Sequence, residues 1–434
     1  MVLLKAALPI FAASKTRVMR FYLIGLLAWM STAASAQDTL KVTVRQADSL
    51  FFKNNLTLLA ERYQVDIAKS AEIQDKLWDN PNLTVELAAY NPSRGFLDLG
   101  RQGQKFVSLE QVISRAGKRA KQVALDVETT RKTELEFFDL ARTLKFDLRQ
   151  LFFETYFLEQ TVQLLDNQIE TLTTTVDAFD REYSRNNVSL KEVVRLKSLL
   201  FQLRNNRAAM QFEITENQRE LRIYLHSEAF VKPVVDSTDI GKYRTAALTP
   251  DQLRDVALVR RTDLRMAESA VKQAELNLTL QRALAVPNIR VGAVYDQASN
   301  YQNHYFGVSA SMDLPFFNRN QGNVRAARSG ISYFKTQEMA KRNSVFNEVN
   351  AAWNKVLIAE NAYRSVESRF ADQFRELNQG MYDNFQKRNI TLLEFIDFIE
   401  TYHENIREFN RLQSDRIKVY EELNFVVGEE LFGS

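Results

Sequence analysis

The chain has 434 residues, 45% of them hydrophobic and 26% charged, with a formal net charge of +3 and no cysteine. Without cysteine there is no disulfide, no thiolate metal site and no N-terminal cysteine to carry a lipid. Lys and Arg are not gathered on one element, which excludes a nucleic-acid surface.

In chain order, Lys15, Arg17 and Arg20 precede an apolar run from Phe21 to Met30, and Ala34-Ser35-Ala36 follows before Gln37. This is the pattern of a secretory signal with an A-x-A cleavage site over residues 1–36, starting at Met1 or Met19. The run is shorter than the ~20 apolar residues of a membrane-crossing helix. Its removal takes away Lys5, Lys15, Arg17 and Arg20 and no acid, so the mature chain carries −1 in place of +3. No later segment approaches ~20 consecutive apolar residues, so any crossing of a bilayer falls to strands. Export without cysteine fits a bacterial envelope.

The mature chain contains itself twice. Thr43 to Pro92 aligns with Thr249 to Ala298 at one constant offset, placing Gln46 on Gln252, Leu58 on Leu264 and Pro81-Asn82 on Pro287-Asn288. Further on, Val107-Ser108 aligns with Val308-Ser309, and the segment from Asn187 to Glu192 with that from Asn389 to Glu394. Two copies of roughly 200 residues, 37–240 and 241–434, mean a duplicated domain and not a short-repeat solenoid.

Within each copy, helices flank one strand hairpin. Alternation at Leu83, Val85, Leu87 and Ala89 opens a hairpin over about 81–113. Ile289, Val291, Ala293 and Tyr295, then Phe306, Val308, Ala310, Met312 and Leu314, give another over about 287–314. Strands of about ten residues with one apolar face suit a tilted membrane crossing, with a small soluble sheet packed on helices as the alternative. Four strands cannot close a barrel, and open edges are not tolerated in lipid, so the membrane reading needs several protomers; three give twelve strands. Glu86 and Glu110 fall on the polar faces, where they would face a lumen. His304 is expected in an outer loop with Asn300, Tyr301, Gln302 and Asn303.

Two proline-free tracts, 93–232 and 316–434, read as long helices. Leu151, Thr155, Leu158, Val162, Leu165, Ile169, Leu172, Val176 and Phe179 alternate steps of four and three. The second copy repeats the pattern from Val345 through Val349, Ala352, Val356, Ala359, Tyr363, Val366 and Phe370 to Leu377. A 3.5-residue period predicts left-handed supercoiling of neighbouring helices. A helix from about Arg115 to Tyr183 would be on the order of 100 Å long. The long helices end at polar tips, Arg185-Asn186-Asn187 and Lys387-Arg388-Asn389. Ser189 with Glu192, and Thr391 with Glu394, then spell capping boxes.

Glu394 and Asp397 stand at i and i+3, on one helix face. In a threefold assembly each would form a ring of acids that attracts cations and narrows a pore; alternatively Glu394 only completes its cap and Asp397 faces solvent. In the first copy Glu192 matches Glu394, while Arg195 replaces Asp397. Lys387 and Arg388 are either salt-bridge partners of a closed state or a solvated turn. His226, His304 and His403 are scattered and supply no convergent metal set. No phosphate loop, nucleophile elbow or H-E-x-x-H occurs, so neither catalysis nor a cofactor is expected.

This combination resembles the TolC-type outer-membrane efflux factors over essentially all of the mature chain. The segment Leu314-Pro315-Phe316-Phe317-Asn318-Arg319-Asn320-Gln321-Gly322-Asn323, with Gly117-Lys118-Arg119 in the first copy, is similar to the strand-to-helix junctions of the branch associated with cobalt, zinc and cadmium resistance. The resemblance implies a mainly α fold with a small membrane β part: a tandem-duplicated protomer of long coiled-coil helices plus two hairpins. Three protomers would share a 12-stranded barrel in the outer membrane, set on a helical barrel in the periplasm. It further implies a periplasmic adaptor (a membrane fusion protein) and an inner-membrane RND-type transporter as partners, besides outer-membrane lipid. The tips, at Arg185, Asn186, Asn187, Lys387, Arg388 and Asn389, would be adaptor contacts. Family members carry acids at the positions matched by Glu394 and Asp397, lining the periplasmic entrance. The implied role is a passive gated exit duct for divalent metal cations or small toxic compounds. A duct for one-step protein secretion and a non-channel periplasmic coiled-coil scaffold are the alternatives.

Overall fold

The computed structural model describes residues 38–92, 95–101, 103–244, 248–300, 302–366 and 370–433. The expected signal segment, 1–36, lies outside the described residues. The first copy runs β1 (Thr39–Val42), α1 (Val44–Asn54), α2 (Leu56–Asp75), β2 (Asn82–Leu87), β3 (Tyr90–Asn91), β4 (Gly95–Phe96), β5 (Lys105–Ile113), α3 (Lys118–Ser184) and α4 (Leu190–Leu225). β6 (Phe230–Pro233) and α5 (Ser237–Gly241) lead into the second, which runs α6 (Pro250–Arg260), α7 (Thr262–Leu284), β7 (Ile289–Ala298), β8 (Asn303–Met312), α8 (Gln321–Ser365), α9 (Phe370–Gln386) and α10 (Leu392–Val427).

The repeat extends to individual hydrogen bonds. Thr43 with Gln46 caps α1, and Thr249 with Gln252 caps α6, each as a complete capping box. Asn55 at the start of α2 donates to the Tyr224 carbonyl at 3.0 Å, and Arg261 at the start of α7 donates to the Val426 carbonyl at 3.2 Å. Equivalent helix starts are thus tied to equivalent helix ends.

β2, β5, β7 and β8 form one antiparallel sheet in that order, so the two hairpins join through β5 and β7. Across it, Leu83, Leu109, Ala293 and Val308 make one row and Val85, Val107, Tyr295 and Phe306 the next. That face is apolar and bare, with Leu83 63%, Phe306 75% and Val308 93% exposed. The opposite face carries Asn82, Glu110, Gly292 and Ser309 in one row. A Cβ at Gly292 would stand 2.8 Å from Ser309 Oγ and 3.0 Å from Glu110 Cγ, so glycine is what lets these side chains close over the strand.

The helices continue the order of the strands. α2 leads into β2, β5 into α3, α7 into β7 and β8 into α8, and these helices pack as α2, α3, α7, α8. Both edges of this layer are apolar and uncovered: α2 exposes Leu56, Leu59, Tyr63, Ile67 and Ile73, and α8 exposes Tyr333, Met339, Phe346 and Ile358. Farther from the sheet, α3 packs on α4 and α10 around Leu165, Leu172, Leu196, Leu203, Phe395 and Ile399.

Four expectations are corrected. The long helix of the first copy is continuous over 67 residues, but its counterpart ends at Ser365, with Val366 extended (φ −81, ψ 123). Among the described side chains of the apolar seam expected through Leu377, Val356 is the last that is buried. Glu360 is buried next instead of Ala359, because its carboxylate takes the Arg416 Nε at 2.5 Å and the Tyr420 hydroxyl at 3.0 Å. β2 has six residues instead of about ten, since the chain leaves the ladder for the β3–β4 hairpin, whose turn places Gly95 at φ 85. His304 lies within β8 and not in a loop; its Nδ1 is 2.9 Å from the Tyr295 hydroxyl. The parallel β1–β6 pair had no sequence signal, being two four-residue segments far apart in the chain.

Between the sheet-side layer and the lower helices lies the larger core, with Phe51, Phe152, Phe153, Leu221, Val349 and Leu423. A charged network runs through it. Arg149, 5% exposed, meets Asp48 at 2.6 Å, Glu421 at 3.1 Å and Glu430 at 3.0 Å, and Glu421 also accepts from the Tyr243 hydroxyl at 2.5 Å. Burial and the neighbouring Glu421 push the Tyr243 hydroxyl well above its ordinary pKa. Removing one partner of a buried ionic group strands the others. Arg149→Ala should therefore cost about 3–5 kcal/mol, read as a lowered denaturant midpoint, whereas Lys355→Ala at an exposed pair should cost under about 1 kcal/mol.

Candidate functional site at the helical tips

The two helical hairpins end in the same turn. After α3, Asn186 takes a left-handed conformation (φ 61), and the Asn187 amide donates to the Glu182 carbonyl at 2.9 Å. After α9, Arg388 takes it (φ 60), and the Asn389 amide donates to the Asn384 carbonyl at 2.9 Å. Side chains brace both turns: Asn187 Nδ2 and Arg185 reach the Glu182 carboxylate at 2.6 and 2.9 Å, and Asn389 Nδ2 reaches Asn384 Oδ1 at 3.0 Å.

α4 and α10 then start on the expected capping boxes. Glu192 accepts from the Ser189 N–H and hydroxyl, both at 2.8 Å, and Glu394 from the Thr391 N–H at 2.7 Å and hydroxyl at 2.8 Å. These bonds, the backbone one first, hold both carboxyls below the ordinary carboxylate range. The two acids are therefore ionised at neutral pH. Arg388 adds its charge to the lowering at Glu192 and Glu182, which sets the second tip beside the first. Neither Lys387 nor Arg388 forms an ion pair within 4 Å among the described residues.

Glu394 and Asp397 are exposed on the α10 face opposite buried Phe395 and Ile399. Within one protomer they share that face, while Glu192 lies on the neighbouring tip with Arg195 exposed a turn later. What sequence reading missed is the joint between the tips. Phe385 of α9 stacks on Phe395 of α10 at 4.2 Å and on Phe179 of α3 at 5.5 Å, with Tyr382 edge-on to Phe395 at 5.1 Å. The only sequence signal was their inward spacing; that rings from both copies meet is a tertiary fact.

The histidines stay apart. His226 ends α4 in a left-handed conformation (φ 48), and buried His403 has its Nε2 3.2 Å from Asn206 Nδ2, its pKa lowered by burial. Among the described residues no group of three or more His, Cys, Asp or Glu is placed to hold a metal, and no helix is long and apolar enough to cross a membrane.

Glu394 has two separable properties, its hydrogen bonds and its charge. Glutamine keeps the capping geometry without the charge. Thr391→Ala and Glu394→Ala should speed amide exchange in the first turn of α10, on the order of fivefold. Glu394→Gln should leave it near the parent rate.

The profile of the family described as "Outer membrane efflux protein" matches residues 253–378. No curated protein sequence matches the chain. Among solved structures, CusC, described for the conformational changes of folding and transmembrane channel formation, is similar with a TM-score of 0.71 at 17% identity, over 89% of this chain and 92% of that one. A membrane protein from Pseudomonas aeruginosa is similar with a TM-score of 0.72 at 14% identity, over 89% and 92%. The Campylobacter jejuni CmeC outer membrane channel is similar with a TM-score of 0.71 at 12% identity, over 90% and 86%. At these identities the likeness is one of architecture, and the chain is built on the fold of outer-membrane channel proteins.

Proposed function

We propose that the chain is a TolC-type outer-membrane channel, the passive and gated exit duct of a tripartite efflux pump. One observation carries this reading. A four-stranded sheet and the four helices that continue it end in two uncovered edges, under an apolar face that is bare. In water such a face and such edges are liabilities. In a ring they become contacts: β8 and α8 of one copy meet β2 and α2 of the next, and the apolar face turns to lipid. Three copies give twelve strands, with the helices forming a tube below. The stripe on α4 that exposes Val194, Phe201 and Phe212 supports the same closure nearer the tips.

The acids of α10 set the entrance. Three copies bring Glu394 and Asp397 into rings at the mouth of the helical tube, where ionised carboxylates favour cations over anions. Divalent cations are the proposed cargo class, with small toxic compounds second. An inner-membrane RND-type transporter supplies the energy, and a periplasmic adaptor grips the tips at Arg185, Asn186, Asn187, Lys387, Arg388 and Asn389. The duct itself makes and breaks no bond.

Planar-bilayer conductance of the detergent-extracted protein tests the proposal. Small, occasionally opening steps blocked by divalent cations are expected. Protein that stays soluble without detergent and never conducts would sink it in favour of a periplasmic coiled-coil scaffold. The double variant E394Q/D397N should form oligomers and lose most of the divalent block; block equal to the parent's would remove these residues from the entrance. Val308→Arg places a charge in mid-sheet on the apolar face, at a cost of roughly 2–4 kcal/mol in a bilayer. Its yield of membrane-inserted oligomer should fall well below that of Ser309→Arg on the opposite face, and equal yields would count against lipid on the apolar side.

A further inference from the structure

The junction between sheet and long helices carries a chemical pattern that neither the duct nor its tips use. Ile113, Ile289 and Met312 form the last row of the apolar face at its helix end. Immediately beyond it cations and aromatic rings gather beside two exposed acids, Asp79 and Asp313, the latter 3.9 Å from Arg290. Arg115 is exposed, and among the described residues its guanidinium meets the Met312 sulfur at 3.8 Å and no carboxylate. Arg119 lies 3.9 Å over the ring of Trp78, which is 67% exposed, and one guanidinium nitrogen of Arg119 is buried with no hydrogen-bond partner. Among the described residues the side chains of Lys121 and Arg319 donate to the carbonyls of Ala116 and Pro315. Phe317, 95% exposed, stands in the same junction.

In water this arrangement is unfavourable on two counts. Cations in the first turn of α3 oppose the helix dipole, and that turn holds no acid to offset them. Exposed Trp and Phe rings add uncompensated apolar area. At the edge of a bilayer both are favourable: aromatic rings settle at headgroup level, and guanidinium groups pair with phosphate oxygens.

We propose that this collar binds the phosphate of anionic phospholipids in the leaflet at the helix end of the sheet. Arg115 and Arg119 would contact the phosphodiester, and Trp78 and Phe317 would lie at the level of the glycerol. The proposal rests on the reading that the apolar sheet face meets lipid, and on the continuity of the collar with that face.

The test uses the full chain in nanodiscs of phosphatidylcholine, alone or mixed with phosphatidylglycerol, with retained lipid counted by native mass spectrometry and melting followed in parallel. Preferential retention of phosphatidylglycerol and a higher melting temperature in the mixed discs are expected, with binding about fivefold weaker for each arginine removed in R115Q and R119Q. Equal retention of the two lipids by the parent, or an R115Q/R119Q variant that keeps the preference, overturns the collar. So does stabilisation by inorganic phosphate equal to that by the lipid. Should the double variant fail to fold, the parent's own preference and the single R115Q variant decide. Protein that enters neither kind of disc overturns the membrane reading and the collar with it, an outcome distinct from entry into both without preference.

Discussion

Unpaired backbone at the two edges of a four-stranded sheet is the constraint around which the molecule is arranged. Each edge presents N–H and C=O groups that lose free energy unless paired, and a bilayer offers no water to pair them. The helices repeat the constraint in side chains: the layer that continues the sheet has apolar stripes on α2 and α8, its first and last members. A single chain thus carries the same incompleteness in hydrogen bonding and in packing, on the same two sides. Joining one copy to the next removes both together, which is why the proposed ring needs no separate oligomerisation element.

Length is the second physical theme. A 67-residue helix has little tertiary structure of its own, and α3 is supported by what lies along it. It packs on α2 and α7 near the sheet and on α4 and α10 toward the tips. Where these sets exchange, apolar packing alone gives way to the network of Arg149, Asp48, Glu421 and Glu430, joined by Tyr243. Hydrophobic contacts are tolerant of sliding, whereas a buried guanidinium with three carboxylates has one register. The network fixes how far α10 lies along α3, and so where the tips stand.

At the tips, capping and charge are carried by the same carboxylates. The Thr391 N–H and hydroxyl that Glu394 accepts from keep it ionised and hold it still. Beneath, Phe179, Phe385 and Phe395 tie the α9–α10 hairpin to α3. α8 ends at Ser365 with Val366 extended, whereas α3, its counterpart in the first copy, runs on to Ser184. The halves therefore share a plan and differ in continuity, an asymmetry placed on the side that carries both Glu394 and Asp397.

Much of this was legible in the chain. The two strand hairpins and the capping boxes are local patterns of spacing, fixed by a period of 2 and by side-chain to backbone geometry within four residues. The Phe179–Phe385–Phe395 stack, the parallel β1–β6 pair and the Arg149 network were not, because each joins residues more than a hundred positions apart or from different copies, and nothing in local spacing encodes such a meeting. Glu360 makes the same point: its place in the heptad run predicts an exposed acid, and only the approach of Arg416 and Tyr420 makes burial favourable. Sequence by itself determined most of the helices, the strands of the four-stranded sheet and the caps, since hydrophobic period, proline and caps act over a few residues. Tertiary structure decided the order in which helices and strands lie side by side, and which edges stay open, because that order depends on distant surfaces competing for the same neighbours.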